Sequence, residues 1–166
     1  MALHHDFLEQ AGHLAQREPN RPRQASLRRA VSTAYYALFH LLTSEGAHRL
    51  ASGQPTLLRS RVRRAFEHRE MKEVCKQFRG ASTVDSTRPL LALPIEQHLR
   101  DVATAFVSLQ EARHDADYDI AITFNRFDVL QQIDMARRAF TAWHVIRKQP
   151  NAAVFLAALL LQRHWK

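Results

Sequence analysis

The stretch Arg28-Arg-Ala-Val-Ser-Thr-Ala-Tyr-Tyr-Ala-Leu-Phe-His40 reads as one helix with different chemistry on two of its sides. At about 100° per residue, Leu27, Val31, Ala34, Leu38 and Leu42 line an apolar face. Arg29, Thr33, Tyr36 and His40 form a polar stripe beside it. The outward side of an amphipathic helix ordinarily carries Glu, Lys and Gln. A guanidinium, a hydroxyl, a phenol and an imidazole together can instead bind or cleave something anionic.

Hydrophobic periodicity extends the same pattern over the rest of the chain, with no strand-like alternation of any length. A first helix is predicted over residues 2–17, burying Leu3, Phe7, Leu8, Ala11, Leu14 and Ala15, and is broken by Glu18-Pro-Asn-Arg-Pro. The second runs from about Gln24 to Leu50 and ends in the turn Ala51-Ser-Gly-Gln-Pro. A third covers roughly Leu57 to Phe78 with a thin apolar edge of Val62, Phe66, Val74 and Phe78. Residues 79–93 form a long irregular connection, after which Pro94 is placed to open a fourth helix. Ile95, Leu99, Val102, Phe106 and Leu109 form its buried face. The fifth, Asn125 to Lys148, has Asn125 as N-cap and buries Phe127, Leu130, Ile133, Ala136, Phe140 and Trp143. Beyond Pro150 a short sixth helix, Ala152 to Arg163, is apolar almost all round. Residues 1–150 therefore read as one helical domain. Residues 151–166 add an apolar helix that belongs to the same domain or to a dimer interface.

Composition narrows the function classes. The 166 residues are 46% hydrophobic and 24% charged, which is ordinary for one globular domain, and four Gly argue against a fold of many tight turns. The longest apolar run, Ala152 to Leu161, is too short to span a bilayer, so no membrane partner is expected. The opening residues lack a basic-then-apolar signal, and the single Cys75 excludes an internal disulfide. Both predict a cytoplasmic protein. A net charge of +8 suits a polyanionic partner, nucleic acid before membrane. Half of that charge lies in the third predicted helix, where Arg59, Arg61, Arg63, Arg64, Arg69, Lys72 and Lys76 outnumber Glu67, Glu70 and Glu73. That helix is either a solvated surface with internal ion pairs or a phosphate-facing one.

The fourth helix carries the second constellation. Its apolar stripe puts Arg113 in phase with the buried face, where a guanidinium must find an anion or several acceptors. His114, Asp115, Asp117 and Tyr118 follow at once. Two accounts stand side by side. In one, Arg113 pairs with Asp117 a turn later and pins the helix end. In the other, it is a planar phosphate clamp beside an imidazole and a phenol. No zinc-ligand pattern, Gly-rich phosphate loop or nucleophile elbow is present, and no metal or cofactor is expected.

The segment Ser32-Thr-Ala-Tyr-Tyr-Ala-Leu-Phe-His40, followed about seventy residues on by Arg113-His-Asp-Ala-Asp-Tyr118, resembles the HEPN superfamily. The likeness is to its small bacterial members with a Ser-x-x-Tyr-Tyr-Ala-x-Phe-His helix and a later Arg-x-x-Ala-Asp-Tyr, and covers residues from about 5 to 148. It implies an antiparallel bundle of four to five helices that often dimerises, here with a C-terminal helix added. Many such proteins are metal-independent endoribonucleases of toxin–antitoxin, CRISPR-associated or phage-defence systems. Others are inactive subunits that bind a nucleotide or accompany a nucleotidyltransferase. Active members carry an Arg and, a few residues on, a His. This chain departs from that pattern, since its nearby His is the adjacent His114 and Tyr118 stands where the His is expected. Arg63 and His68 satisfy the spacing, but on the basic helix.

The resemblance thus implies catalytic roles for Arg113, His114, Tyr118 and His40, with Arg113 stabilising charge on a phosphate and His114 or His40 acting as base or acid. Arg29, Tyr36, Arg59, Arg63, Arg64, Lys72 and Lys76 are expected to contact RNA. Ser32, Tyr35 and Asp117 are expected to be structural or orienting. The expected partners are RNA or a nucleotide, a second copy in a homodimer, and an antitoxin or nucleotidyltransferase. The apolar circumference of residues 152–161 is more than one bundle face can cover, which is the residue-level ground for the homodimer.

Overall fold

The computed structural model describes residues 1–80 and 85–165, and among these every regular element is helical. Seven α-helices are formed: α1 (Leu3–Gln16), α2 (Gln24–Leu50), α3 (Thr56–Arg64), α4 (His68–Arg79), α5 (Gln97–Tyr118), α6 (Arg126–Ile146) and α7 (Pro150–Leu161). Short 3₁₀ turns cover Arg88–Leu90 and Gln162–His164. The all-α expectation therefore holds. Among the described residues no helix is long and apolar enough to cross a membrane. The chain divides into two compact units, Met1–His40 with Ala105–Thr141, and Leu41–Thr104 with Ala142–Lys166.

In the first unit, Leu27, Val31, Ala34 and Leu38 of α2 are fully buried, as the apolar stripe requires. Thr33 is buried too, so the polar stripe is not a solvated back. On α6, Asn125 accepts a hydrogen bond from the Asp128 amide at 2.9 Å and so caps the helix as expected. The buried register begins at Val129 and continues through Ile133 and Ala136, however, and leaves Phe127 69% exposed, against expectation. Phe127 sits in the first turn, half a turn out of phase with Val129. On α1 only Ala11 and Ala15 are fully buried, while Leu3 stays exposed.

The second unit corrects the third predicted helix. It is two helices, with α3 ending at Arg64 and Glu67 in extended backbone before α4. Neither Gly nor Pro marks this break. Its cause is tertiary: Phe66 is buried against the notch left by Gly46 of α2, where an added Cβ would lie 2.5 Å from Phe66 Cζ. A continuous helix would have to give up that contact. In consequence α3 buries none of its residues, whereas α4 buries Met71, Val74, Cys75 and Phe78. Gly53 in the turn after α2 has φ +70°, a conformation that costs a side-chain-bearing residue about 1 kcal/mol or more.

The fourth predicted helix starts later than Pro94, at Gln97. Buried Asn151 of α7 holds the preceding segment irregular, accepting from the Ala92 amide at 2.8 Å and donating to Ala92 O at 2.7 Å and Glu96 Oε2 at 2.9 Å. Part of the predicted connection, residues 81–84, lies outside the described residues. Pro150 opens α7, and its Phe155 packs edge-on to Phe78 at 5.0 Å and near Trp143 at 6.2 Å. Phe155, Leu156, Ala158 and Leu159 are buried within the chain. The apolar circumference that suggested a second subunit is largely covered within the chain.

Candidate functional site

Among the described residues, four helix ends are closed by arginine, and their helices carry no glycine in the left-handed position that commonly caps a helix. The last carbonyls of a helix lack intrahelical donors, and the dipole there favours a cation. Arg28 of α2 donates to Ala116 O and Asp119 O at 2.9 Å each and to Ile122 O, gathering the end of α5 and the segment beyond it. Its guanidinium also lies 5.4 Å from the Phe124 ring. Arg126 closes α1 through Ala15 O at 3.0 Å, Pro19 O at 2.7 Å and Glu18 O. In the second unit Arg100 takes Arg79 O at the end of α4, and Arg49 takes Arg147 O beyond α6. Gln24 adds a two-way clasp, donating to Phe124 O at 2.7 Å and accepting from the Phe124 amide at 2.9 Å.

These clamps fix α2 against the end of α5 and bring the two sequence motifs together. The Arg113 guanidinium donates from Nη2 to Tyr36 Oη at 2.9 Å. Its Nε lies 2.9 Å from Asp117 Oδ2 in an ion pair, while the N–H itself is not aligned for a hydrogen bond. Ser32 Oγ donates to the other carboxylate oxygen of Asp117. Around the guanidinium carbon stand the rings of Tyr36 at 5.4 Å, Tyr35 at 5.8 Å and Tyr118 at 6.0 Å. Burial opposes the Arg113 charge, but the Tyr36 oxygen and the Asp117 carboxylate outweigh it and hold its pKa above the ordinary value. The side chain keeps 19% of its surface exposed. The outcome is a permanently charged planar donor inside an aromatic collar, open on one side.

The other expected residues fall as follows. Tyr35 is fully buried, edge-on to Phe106 at 5.5 Å, and acts as packing. Tyr118 is 66% exposed, with exposed His114 at 5.1 Å between ring centroids. His40 stacks on Phe7 at 5.1 Å with its ring 6.3 Å from Tyr36, so Tyr36 stands between His40 and Arg113. Arg29 is exposed, its carbonyl taken by Thr33 Oγ at 2.7 Å. Arg59, Arg63 and Arg64 lie on α3, and Lys72 and Lys76 on α4, all in the second unit. Lys76 is paired with Glu73 at 2.9 Å, and that hydrogen bond holds the Glu73 carboxyl below the usual range despite slight burial. Arg63 and His68 belong to different helices, so their spacing is not one helical motif.

Arg28, Gln24 and Arg126 were not singled out by residue patterning. A signal for Arg28 existed, because it lies one turn before Ser32 and two before Tyr35 and Tyr36. The residues of α2 that face α5 are therefore Arg28, Ser32, Tyr35 and Tyr36, of which Tyr36 alone belongs to the polar stripe that periodicity suggested. Set against protein-family models, curated proteins and solved structures, this chain gives no match.

Proposed function

We propose that this protein is a HEPN-like RNA-binding module that holds single-stranded RNA with a phosphate on Arg113 and bases against Tyr118 and His114. One observation carries the reading: a guanidinium collared by tyrosines opens to solvent beside an exposed aromatic pair. Proteins that hold single strands combine a cationic backbone contact with aromatic faces on which bases stack. The motif likeness and the +8 charge support the same partner. Binding rather than cleavage is favoured, since Asp117 and Tyr36 already engage Arg113 and Tyr118 occupies the place of the expected His. Exposed His114 favours a second reading, in which it serves as base for attack by the ribose 2′-hydroxyl.

Anisotropy titration of a short single-stranded RNA tests the binding reading. Arg113→Ala should weaken binding more than about tenfold and also lower stability by about 1–2 kcal/mol, because Asp117 loses its ion pair. Tyr118→Ala should weaken binding about tenfold with melting unchanged. A destabilised Arg113→Ala protein that binds RNA as well as wild type overturns the reading. Incubation of the same RNA in chelator separates the second one, which requires fragments ending in a 2′,3′-cyclic phosphate that vanish in His114→Ala.

A further inference from the structure

The second unit holds a small cleft between the end of α2 and α3 that no part of the Arg113 reading uses. Ser44 and His48 of α2 face Thr56, Arg59, Ser60 and Arg63 of α3 across about 150 Å³. The lining offers two guanidiniums, an imidazole and three hydroxyls, and no carboxylate. Arg59 is held in place by the turn before α3, donating to Gln54 O and to Thr56 Oγ1 at 3.2 Å. Arg63 follows one helical turn later, so two like charges share one face, an arrangement that is unfavourable unless an anion relieves it.

Among the described residues, three acids of the unit stand in ion pairs with other partners. Glu45 pairs with Arg147 at 3.3 Å, Glu67 with Arg163 at 2.7 Å and Glu73 with Lys76 at 2.9 Å. Within α3 itself four arginines stand in nine residues without an acid. The cleft is also below the roughly 300 Å³ at which pockets begin to take drug-sized molecules. That volume suits one compact anion and its waters. Planar guanidiniums with nearby hydroxyls match the oxygens of a tetrahedral phosphate.

We infer that this cleft is a binding site for a single phosphomonoester group, held by Arg59 and Arg63 with the hydroxyls of Ser60, Thr56 and Ser44. The same chemistry is presented by a free phosphate and by the phosphorylated end of an RNA chain. Calorimetric titration of the full chain with inorganic phosphate should saturate. Arg63→Gln should weaken that binding at least about tenfold, with melting temperatures reporting that the variant is folded, and Ser60→Ala should weaken it less. Arg61→Gln removes the same charge from the same helix outside the cleft, and should leave affinity within about twofold. Arg113→Ala should also leave it unchanged, which keeps this site separate from the RNA reading above. A 5′-phosphorylated RNA that outcompetes its 5′-hydroxyl counterpart would assign the site to chain ends; equal competition by both would assign it to a free anion. Absence of saturation at millimolar phosphate, or equal losses in Arg61→Gln and Arg63→Gln, would overturn the proposal.

Discussion

Arginine does different work in the two units. Around the end of α5, Arg28 is committed to backbone carbonyls within the chain, whereas Arg113 meets a carboxylate and a phenol and keeps 19% of its side chain exposed. On α3, Arg61, Arg63 and Arg64 stand on a helix that buries nothing and contains no acid. Net charge counts all of these alike. Their physical meaning differs, because a guanidinium whose N–H groups are used by carbonyls is a structural strut, whereas one left facing hydroxyls and other cations is available to an external anion. A chain with few glycines at its helix ends can employ arginine to close them, and part of a pI near 10.5 then reflects folding rather than recognition.

The largest effect that could break this comparison is at Arg28. Arg28→Ala strips several carbonyls at the end of α5 of their donor and should cost about 3 kcal/mol, since hydrogen bonds to charged donors are worth more than neutral ones. Arg61→Ala should stay within about 0.5 kcal/mol, as surface changes do. Chemical denaturation of both variants decides the matter, and equal losses would erase the distinction between the two kinds of arginine.

Next in size is the break that separates α3 from α4. Gly46→Ala drives a Cβ into the Phe66 ring, an overlap costing about 1–3 kcal/mol, against a helix-propensity gain of about 1 kcal/mol. A net loss of up to about 2 kcal/mol is expected. Combined with Phe66→Ala the overlap disappears, so the double variant should be at least as stable as Phe66→Ala alone. A Gly46→Ala protein more stable than wild type would mean that the Phe66 notch does not hold the break.

The smallest effect concerns Cys75, beneath the basic surface of α4. Full burial pushes its thiol well above the usual value. The unfolded thiol loses its proton above about pH 8.5 while the buried one keeps it, so stability should fall as pH rises past that point, by about 1 kcal/mol over the first unit beyond it. Cys75→Ala should show a shallower decline in the same range. The native thiol should also react with an aromatic disulfide reagent far more slowly than the unfolded chain. Rapid native labelling would show that α4 opens readily.

Much of this molecule was legible in its residues. The α2 stripe, the α5 stripe that carries Arg113 inward and the Asn125 cap follow from a 3.6-residue period and from local side-chain chemistry, which need no knowledge of neighbours. The pairing of Arg113 with Asp117 is of the same kind, since residues one turn apart on a helix meet whatever surrounds them. Other features depended on contacts between residues far apart in the chain. Phe66 breaks a continuous helical pattern because Gly46, twenty residues earlier, leaves room for its ring. Asn151 delays the start of α5 by holding Ala92 and Glu96. Arg28 belongs to α5 through carbonyls about ninety residues away, and Glu45 and Glu67 of the second unit go to Arg147 and Arg163 rather than to α3. Periodicity reports which way a side chain points, and only the folded chain decides what it meets there.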